Sequence, residues 1–135
     1  MYRVLFICHG NICRSPMAEF IMKDLVEKAG LSQEIFVSSA AMTSEEIGND
    51  MYPPAKRMLT AMGVPFEKRK ARRMTKADYE ENDIIIGMDE ENWRYLLLLT
   101  GGRKEKLHLL LGLQAILLDI DKAVRIVRET EEESE

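Results

Sequence analysis

Cys8, Gly10, Asn11, Cys13 and Arg14 fall inside one short string, C-H-G-N-I-C-R, followed by Ser15 and Pro16. A sulfur opens the string and a guanidinium closes it. An apolar run, Val4 to Ile7, precedes it, and an amphipathic pattern begins directly after it. A strand, a tight polar loop and a helix N-terminus make a geometry that binds an anion. The first turn of a helix leaves backbone N–H groups unpaired and carries partial positive charge. Gly10 lets the backbone turn tightly and come close to a ligand. Arg14 offers a planar fork of donors that matches two phosphate oxygens, which a lysine could not match. Such surroundings favour the thiolate form of a cysteine. A thiolate at Cys8 could attack phosphorus and give a cysteinyl-phosphate intermediate.

The elements that must position this loop follow from the apolar spacing. Val4 to Ile7 reads as a buried strand. Pro16 to Ala29 has Met17, Phe20, Ile21 and Leu25 at helical spacing, with Ser15 as its N-cap, Pro16 at the first helical position and Gly30 as its stop. Ile35 to Ser38 is a second strand. Pro53 to Met62 is a second helix, ended by Gly63 and Pro65. Lys76 to Asn82 reads as a helical turn, Ile84 to Ile86 as a strand, and Asp89 as the cap of the helix that follows. Leu107 to Leu111 is a fourth strand. Strands alternating with helices predict an α/β fold: three layers, a four-stranded parallel sheet with helices on both faces, and the phosphate loop after strand 1. In an open sheet of this kind ligands bind at the carboxyl ends of the strands, where Cys8 lies.

Composition agrees with one domain over residues 1–128 and an acidic, disordered tail over 129–135. The chain has 135 residues and a net charge of −4, which gives no general case for nucleic acid or an acidic membrane as partner. No stretch reaches the roughly 18 apolar residues of a membrane span, and Val4 to Ile7 is too short for a signal-peptide core. Two cysteines inside one loop make neither a disulfide scaffold nor a zinc pattern. His9 and His108 are not spaced as metal ligands, so neither metal nor cofactor is expected. A thiolate enzyme needs a reducing compartment, which points to the cytoplasm.

The string V-L-F-I-C-H-G-N-I-C-R-S-P-M-A-E resembles the N-terminus of the low-molecular-weight protein tyrosine phosphatases. The likeness continues through Ser38–Ala41 (S-S-A-A), Glu45–Asn49 (E-E-I-G-N), Tyr52–Ala55 (Y-P-P-A), Ala71–Tyr79 (A-R-R-M-T-K-A-D-Y) and Ile86–Asn92 (I-G-M-D-E-E-N). The resemblance implies hydrolysis of phosphotyrosine proteins or small aryl phosphates, with inorganic phosphate or sulfate fitting the same loop. It makes Cys8 the nucleophile and Arg14 the phosphate-binding, transition-state-stabilising residue. His9, Gly10, Asn11, Ile12, Cys13 and Arg14 form the phosphate-binding set. Asn11, Ser15 and Ser39 support the loop, Ser15 in addition to capping the helix. Cys13 matches the family's second loop cysteine, with two readings open: simple packing, or a reversible disulfide with Cys8 that guards the thiolate from overoxidation. The basic run Lys68, Arg69, Lys70, Arg72 and Arg73 is either a solvated face or a rim that steers phosphorylated partners. His9 lies where it could tune the thiolate.

The C-terminal segment departs from the family, which holds its general acid on an Asp-Pro-aromatic-Tyr loop. The four prolines here are Pro16, Pro53, Pro54 and Pro65, and none follows an aspartate. Aligned back from D-I-D-K-A-V-R, the acid's place falls on Leu113 and the proline's on Gln114. Leu113, Ile116, Leu117, Ile120, Val124 and Val127 fall at helical spacing, as if the acid loop had merged into a longer helix, one that could also pair two copies into a homodimer. The general acid is thus unassigned, with Asp119 and Asp121 as substitutes, and protonation of the leaving group is expected to be weak. A second departure is Glu45, where relatives often carry an aromatic residue. Two other functions are open, the first favoured by the missing acid loop and the second by the shared fold and loop. One is a phosphotyrosine-binding module without turnover. The other, less supported, is an arsenate reductase, whose relay needs distal cysteines that this chain lacks.

Overall fold

A strand covered on both faces is apolar along its whole length, and Val4 to Ile7 are all buried at the centre of the sheet. The computed structural model describes residues 1–110. In chain order the elements are β1 (Tyr2–Cys8), α1 (Arg14–Lys28), β2 (Ile35–Ala41), α2 (Pro53–Ala61), α3 (Lys76–Glu81), β3 (Ile84–Gly87), α4 (Glu90–Leu99) and β4 (Leu107–Leu109). The strands form one sheet in the order β2-β1-β3-β4, every pair parallel. The order reverses between β1 and β3, so the end of β1 opens on the crevice where such sheets bind ligands.

Side chains alternate across a strand, so β1 feeds two cores. Val4, Phe6 and Cys8 pack with α1 and α2 residues such as Met17, Ile21, Ala55 and Leu59. Leu5 and Ile7 pack on the other face with Met74, Tyr79 of α3 and Leu96 of α4. The expected three-layer α/β architecture with the loop after β1 is therefore present. Register also places the polar residues. Phe6 pairs with Ser39 and Cys8 with Ala41, which puts Ser39 on the α1 face, two residue pairs behind the sulfur.

The element ends refine the sequence reading. β2 runs on to Ala41, past the expected Ser38. The first helix begins at Arg14 with Cys13 at its cap, so Ser15 is not the N-cap. The reason is that the Ser15 hydroxyl is turned into the loop, toward the Cys8 sulfur, and no side chain caps the first turn. Gly30 and Gly63 end α1 and α2 as expected: both take positive φ, 72° and 71°, and Leu31 and Val64 donate back to Val26 and Leu59. Asp89 caps α4, its carboxylate accepting from Asn92 N–H at 2.8 Å. Thr75 and Asp78 form a capping box on α3. The last strand is described as Leu107–Leu109. The expectations about Leu111, Leu113, Gln114, Asp119, Asp121, the long C-terminal helix, its homodimer and the acidic tail lie outside the described residues. No helix among the described residues is long and apolar enough to cross a membrane.

Candidate active site

Cys8 ends β1 almost wholly buried, with its Sγ 3.0 Å from Ser15 Oγ. Asn11 supplies this hydroxyl with a donor. Its Nδ2 gives one hydrogen to Ser15 Oγ and one to Ser39 Oγ, both at 2.8 Å. Ser15 then accepts from the amide and points its own hydrogen either at the sulfur or at the Ala40 carbonyl, 3.5 Å away. Ser39 passes its hydrogen to Glu19 Oε1 at 2.6 Å. The amide oxygen of Asn11 accepts from the Arg69 guanidinium and from Arg72 N–H, the latter at 3.2 Å. Asn11 is completely buried, and its side chain meets two acceptors and two donors.

Asn11 is also the strained residue of the loop. Its φ is +59°, the one positive value among the described non-glycine residues. A left-handed residue other than glycine is costly and persists when its surroundings over-determine it. The sequence reading gave the tight turn to Gly10. Gly10 has no positive φ; what it avoids is crowding, since a Cβ there would lie 3.2 Å from Glu46 Cγ.

Arg14 sits at the first position of α1, and its Nη1 lies 2.7 Å from Asp89 Oδ2. The carboxylate that caps α4 thereby also aims the guanidinium. Burial alone would push the Asp89 carboxyl up, but the Asn92 N–H and Arg14 outweigh it and hold it below the ordinary range. The Cys13 thiol is pushed up, first by burial and then by the charge of Cys8, with Arg14 opposing. Cys13 is a free thiol beside the nucleophile candidate rather than a second thiolate. Ile12 anchors the outer side of the loop, its carbonyl accepting from Tyr52 N–H at 2.7 Å. His9 stands exposed at the mouth between Glu45 and Glu91. His108 lies in β4, where burial holds its imidazole below the ordinary value.

The structure thus gathers Cys8 through Ser15 and Ser39 in one place. It adds residues that the sequence reading missed. Glu19 ends the hydrogen-bond chain. Arg69 and Arg72 are not one basic surface with Lys68, Lys70 and Arg73. Arg69 is half-buried beneath the loop, and Arg72 grips Asp78 through two bonds of 3.0 Å. The signal for Arg72 was its spacing to Asp78, six residues on, next to a capping threonine; Arg69 left no local signal. A cavity of about 460 Å³ lies away from this site, between α4 and β4, and is lined by Trp93, Arg94 and His108. No group of three or more His, Cys, Asp or Glu among the described residues could hold a metal.

Chemically, the arrangement offers a buried sulfur with one hydroxyl donor, a loop of backbone N–H groups running into a helix, and a guanidinium held ready by a carboxylate. Those parts suit a tetrahedral oxyanion bonded in turn to sulfur. The model of the family described as "Low molecular weight phosphotyrosine protein phosphatase" matches residues 3–120. The low molecular weight protein-tyrosine-phosphatase YfkJ of Bacillus subtilis is 44% identical over 92 residues, 68% of this chain and 59% of that protein. The human low molecular weight phosphotyrosine protein phosphatase is 45% identical over 96 residues, 69% of this chain and 58% of that protein. The matched stretch therefore spans less than two thirds of these relatives' length. The crystal structure of YfkJ superposes with a TM-score of 0.88 at 30% identity, covering 100% of this chain and 98% of that one.

Proposed function

Because the chain belongs to the low molecular weight phosphotyrosine protein phosphatase family, we propose that it hydrolyses phosphotyrosine or aryl phosphates through a cysteinyl-phosphate on Cys8. The observation that carries this reading is the Asn11–Ser15–Cys8 chain, which sets a hydroxyl 3.0 Å from the sulfur at the start of the loop. In the first step Cys8 Sγ attacks phosphorus in line while Arg14 and the loop N–H groups of residues 9–14 hold the phosphoryl oxygens. Developing charge on those oxygens meets donors already in place, which is the main source of catalysis in phosphoryl transfer. In the second step water attacks phosphorus and the sulfur leaves as a thiolate, received by the Ser15 hydroxyl. Thiolate chemistry of this kind belongs in a reducing compartment, and we place the protein in the cytoplasm on that ground.

Protonation of the leaving oxygen is not served by Asp89, the aspartate beside Arg14. Asp89 is bound to Arg14 and held ionised, and no Asp-Pro pair occurs in the sequence. The step is then either weak or served by Asp119 or Asp121, which lie outside the described residues. That same gap favours a second reading, a phosphotyrosine-binding module without turnover. Burst kinetics with an activated aryl phosphate, comparing the intact chain with Cys8→Ser, separates the two. A burst that disappears in Cys8→Ser establishes the covalent enzyme. Phosphate binding with no Cys8-dependent release selects the binding module.

A further inference from the structure

Arg69 brings a full positive charge beneath the loop. Its Nη2 donates to Asn11 Oδ1, its Nη1 reaches the Asn49 carbonyl at 3.5 Å, and its backbone N–H meets Asp50 Oδ1 at 3.2 Å. A guanidinium stays protonated in proteins. Burial pulls this one below its ordinary pKa, while the charges of Glu19, Asp50 and Cys8 push it back up. Two of those three anions hold a lysine of their own. Glu19 binds Lys23 Nζ at 2.6 Å, and Asp50 binds Lys56 Nζ at 2.6 Å. Cys8 is the third.

The other arginines near the loop are each held by a carboxylate: Arg14 by Asp89 at 2.7 Å and Arg72 by Asp78 at 3.0 Å. Arg69 is instead joined to Cys8 through Asn11 and Ser15. With the guanidinium and the Arg72 N–H on its oxygen, the Asn11 amide turns its Nδ2 hydrogens to Ser15 and Ser39, both at 2.8 Å. A cation on the amide oxygen polarises the group and makes those hydrogens stronger donors. Ser15, so bonded, is in turn a stronger donor to the sulfur 3.0 Å away. A neutral sulfur competes for the Ser15 hydrogen with the Ala40 carbonyl at 3.5 Å. A thiolate wins it, because a hydrogen bond to a charged acceptor is about twice as strong.

Resting on the phosphatase reading above, we infer that Arg69 is a positioning residue for the second chemical step, the release of Cys8 from phosphorus. In that step the oxygen of water bonds to phosphorus as the sulfur–phosphorus bond breaks. The electron pair of the broken bond stays on sulfur. Both water protons leave on the product as dihydrogen phosphate, and no other reactant is consumed. Negative charge grows on Sγ during this step, and the Arg69–Asn11–Ser15 chain strengthens as it grows. In the first step the charge moves the other way, from the sulfur to the phosphoryl oxygens and the leaving group. A donor chain that favours the thiolate gives no help there. Arg69 therefore serves one step and not the other.

The test uses the full chain and para-nitrophenyl phosphate, with burst kinetics and the mass of the acid-quenched chain as readouts. Arg69→Gln removes the charge and keeps a donor for the amide oxygen. Arg69→Met removes both and keeps an unbranched stem, and Arg69→Lys keeps the charge. Both neutral variants should keep the Cys8-dependent burst and its rate. They should lose roughly 10-fold in the turnover that follows, the low end of what one hydrogen bond to a charged group contributes. Chain carrying phosphate on Cys8 should accumulate in them. Arg69→Lys should regain most of the lost turnover. Thermal unfolding and inhibition by inorganic phosphate, measured on the same samples, should not follow the loss. Equal slowing of burst and turnover in the neutral variants overturns the inference, because Arg69 would then shape the loop for both steps. Wild-type turnover in either folded neutral variant overturns it, as does a folded Arg69→Lys as slow as Arg69→Gln. Failure of both neutral variants to fold also overturns it, since Arg69 would then be a residue of the fold. Absence of a Cys8-dependent burst in the wild type removes the phosphatase reading and this inference together, an outcome distinct from all the others.

Discussion

Asn11 joins conformational strain to bonding in one side chain. Replacing it by alanine leaves the Ser15 and Ser39 oxygens, the Arg72 N–H and the Arg69 guanidinium each short of a partner. Each orphaned buried group costs about 1–3 kcal/mol, and groups in one network do not add simply. Replacement by glycine removes the same bonds but accepts the φ of +59°, so Asn11→Gly should unfold at a higher temperature than Asn11→Ala, by about 1–2 kcal/mol of stability. Both should lose most phosphoryl transfer, because Ser15 would no longer be directed at Cys8. Thermal unfolding and burst amplitude measured on the same samples check the two halves separately, and equal stability of the two variants would mean that φ is not strained. At this scale much of the candidate site was legible: Cys8, Asn11, Ser15 and Ser39 share one chain of hydrogen bonds. Arg69 was not, because its bond to Asn11 joins residues 58 positions apart, and a basic run looks the same whether it is solvated or lodged under a loop.

The connections between elements hold the loop from below. Asp50, just before α2, binds Lys56 Nζ at 2.6 Å and accepts from Met51 N–H at 2.7 Å and Arg69 N–H at 3.2 Å. One carboxylate thus pins the start of α2 to the segment that carries Arg69. The Lys56 bond, with the two N–H donors, outweighs desolvation and lowers its pKa to about 2. The sign follows from linkage. A carboxyl whose folded pKa lies below the unfolded value of about 3.9 stabilises the fold fully above that value and loses the contribution as pH falls through the folded pKa. Asp50→Asn should therefore be less stable than wild type at neutral pH, and the gap should close between about pH 4 and 2. A gap independent of pH would show that packing, not charge, is the contribution of Asp50. Helix and strand identities were readable from apolar spacing and from glycines after α1 and α2. The start of α1 was not, since a serine before a proline is the local mark of a cap. Here the hydroxyl bonds to a sulfur seven residues back, a partner that only the folded loop supplies.

Across the whole molecule, the site depends on how closely the second helical layer sits on the sheet. Four parallel strands were legible as apolar runs between helices, but their order, β2-β1-β3-β4, depends on long-range pairing that no run of residues encodes locally. That order sets the end of β3 beside the end of β1, and with it brings Asp89 from the cap of α4 to Arg14 at the start of α1. Gly87 fixes the spacing. A Cβ there would lie 3.2 Å from Asn92 Cβ and 3.4 Å from Leu96 Cδ1, so α4 would have to yield by a few tenths of an ångström. Leu96 can turn its methyl aside. Asn92 cannot easily follow, because its Oδ1 accepts from Met88 N–H at 3.0 Å and its own N–H caps on Asp89. Gly87→Ala should cost about 1–3 kcal/mol, the usual penalty for one extra carbon in a filled interior. Because the displaced helix carries Asp89 with it, the same variant should also weaken inhibition by inorganic phosphate. Urea unfolding and a phosphate inhibition constant, measured together, test this coupling. Lost stability with unchanged phosphate inhibition would show that Arg14 is aimed by its own helix and not by the distance between α4 and the sheet.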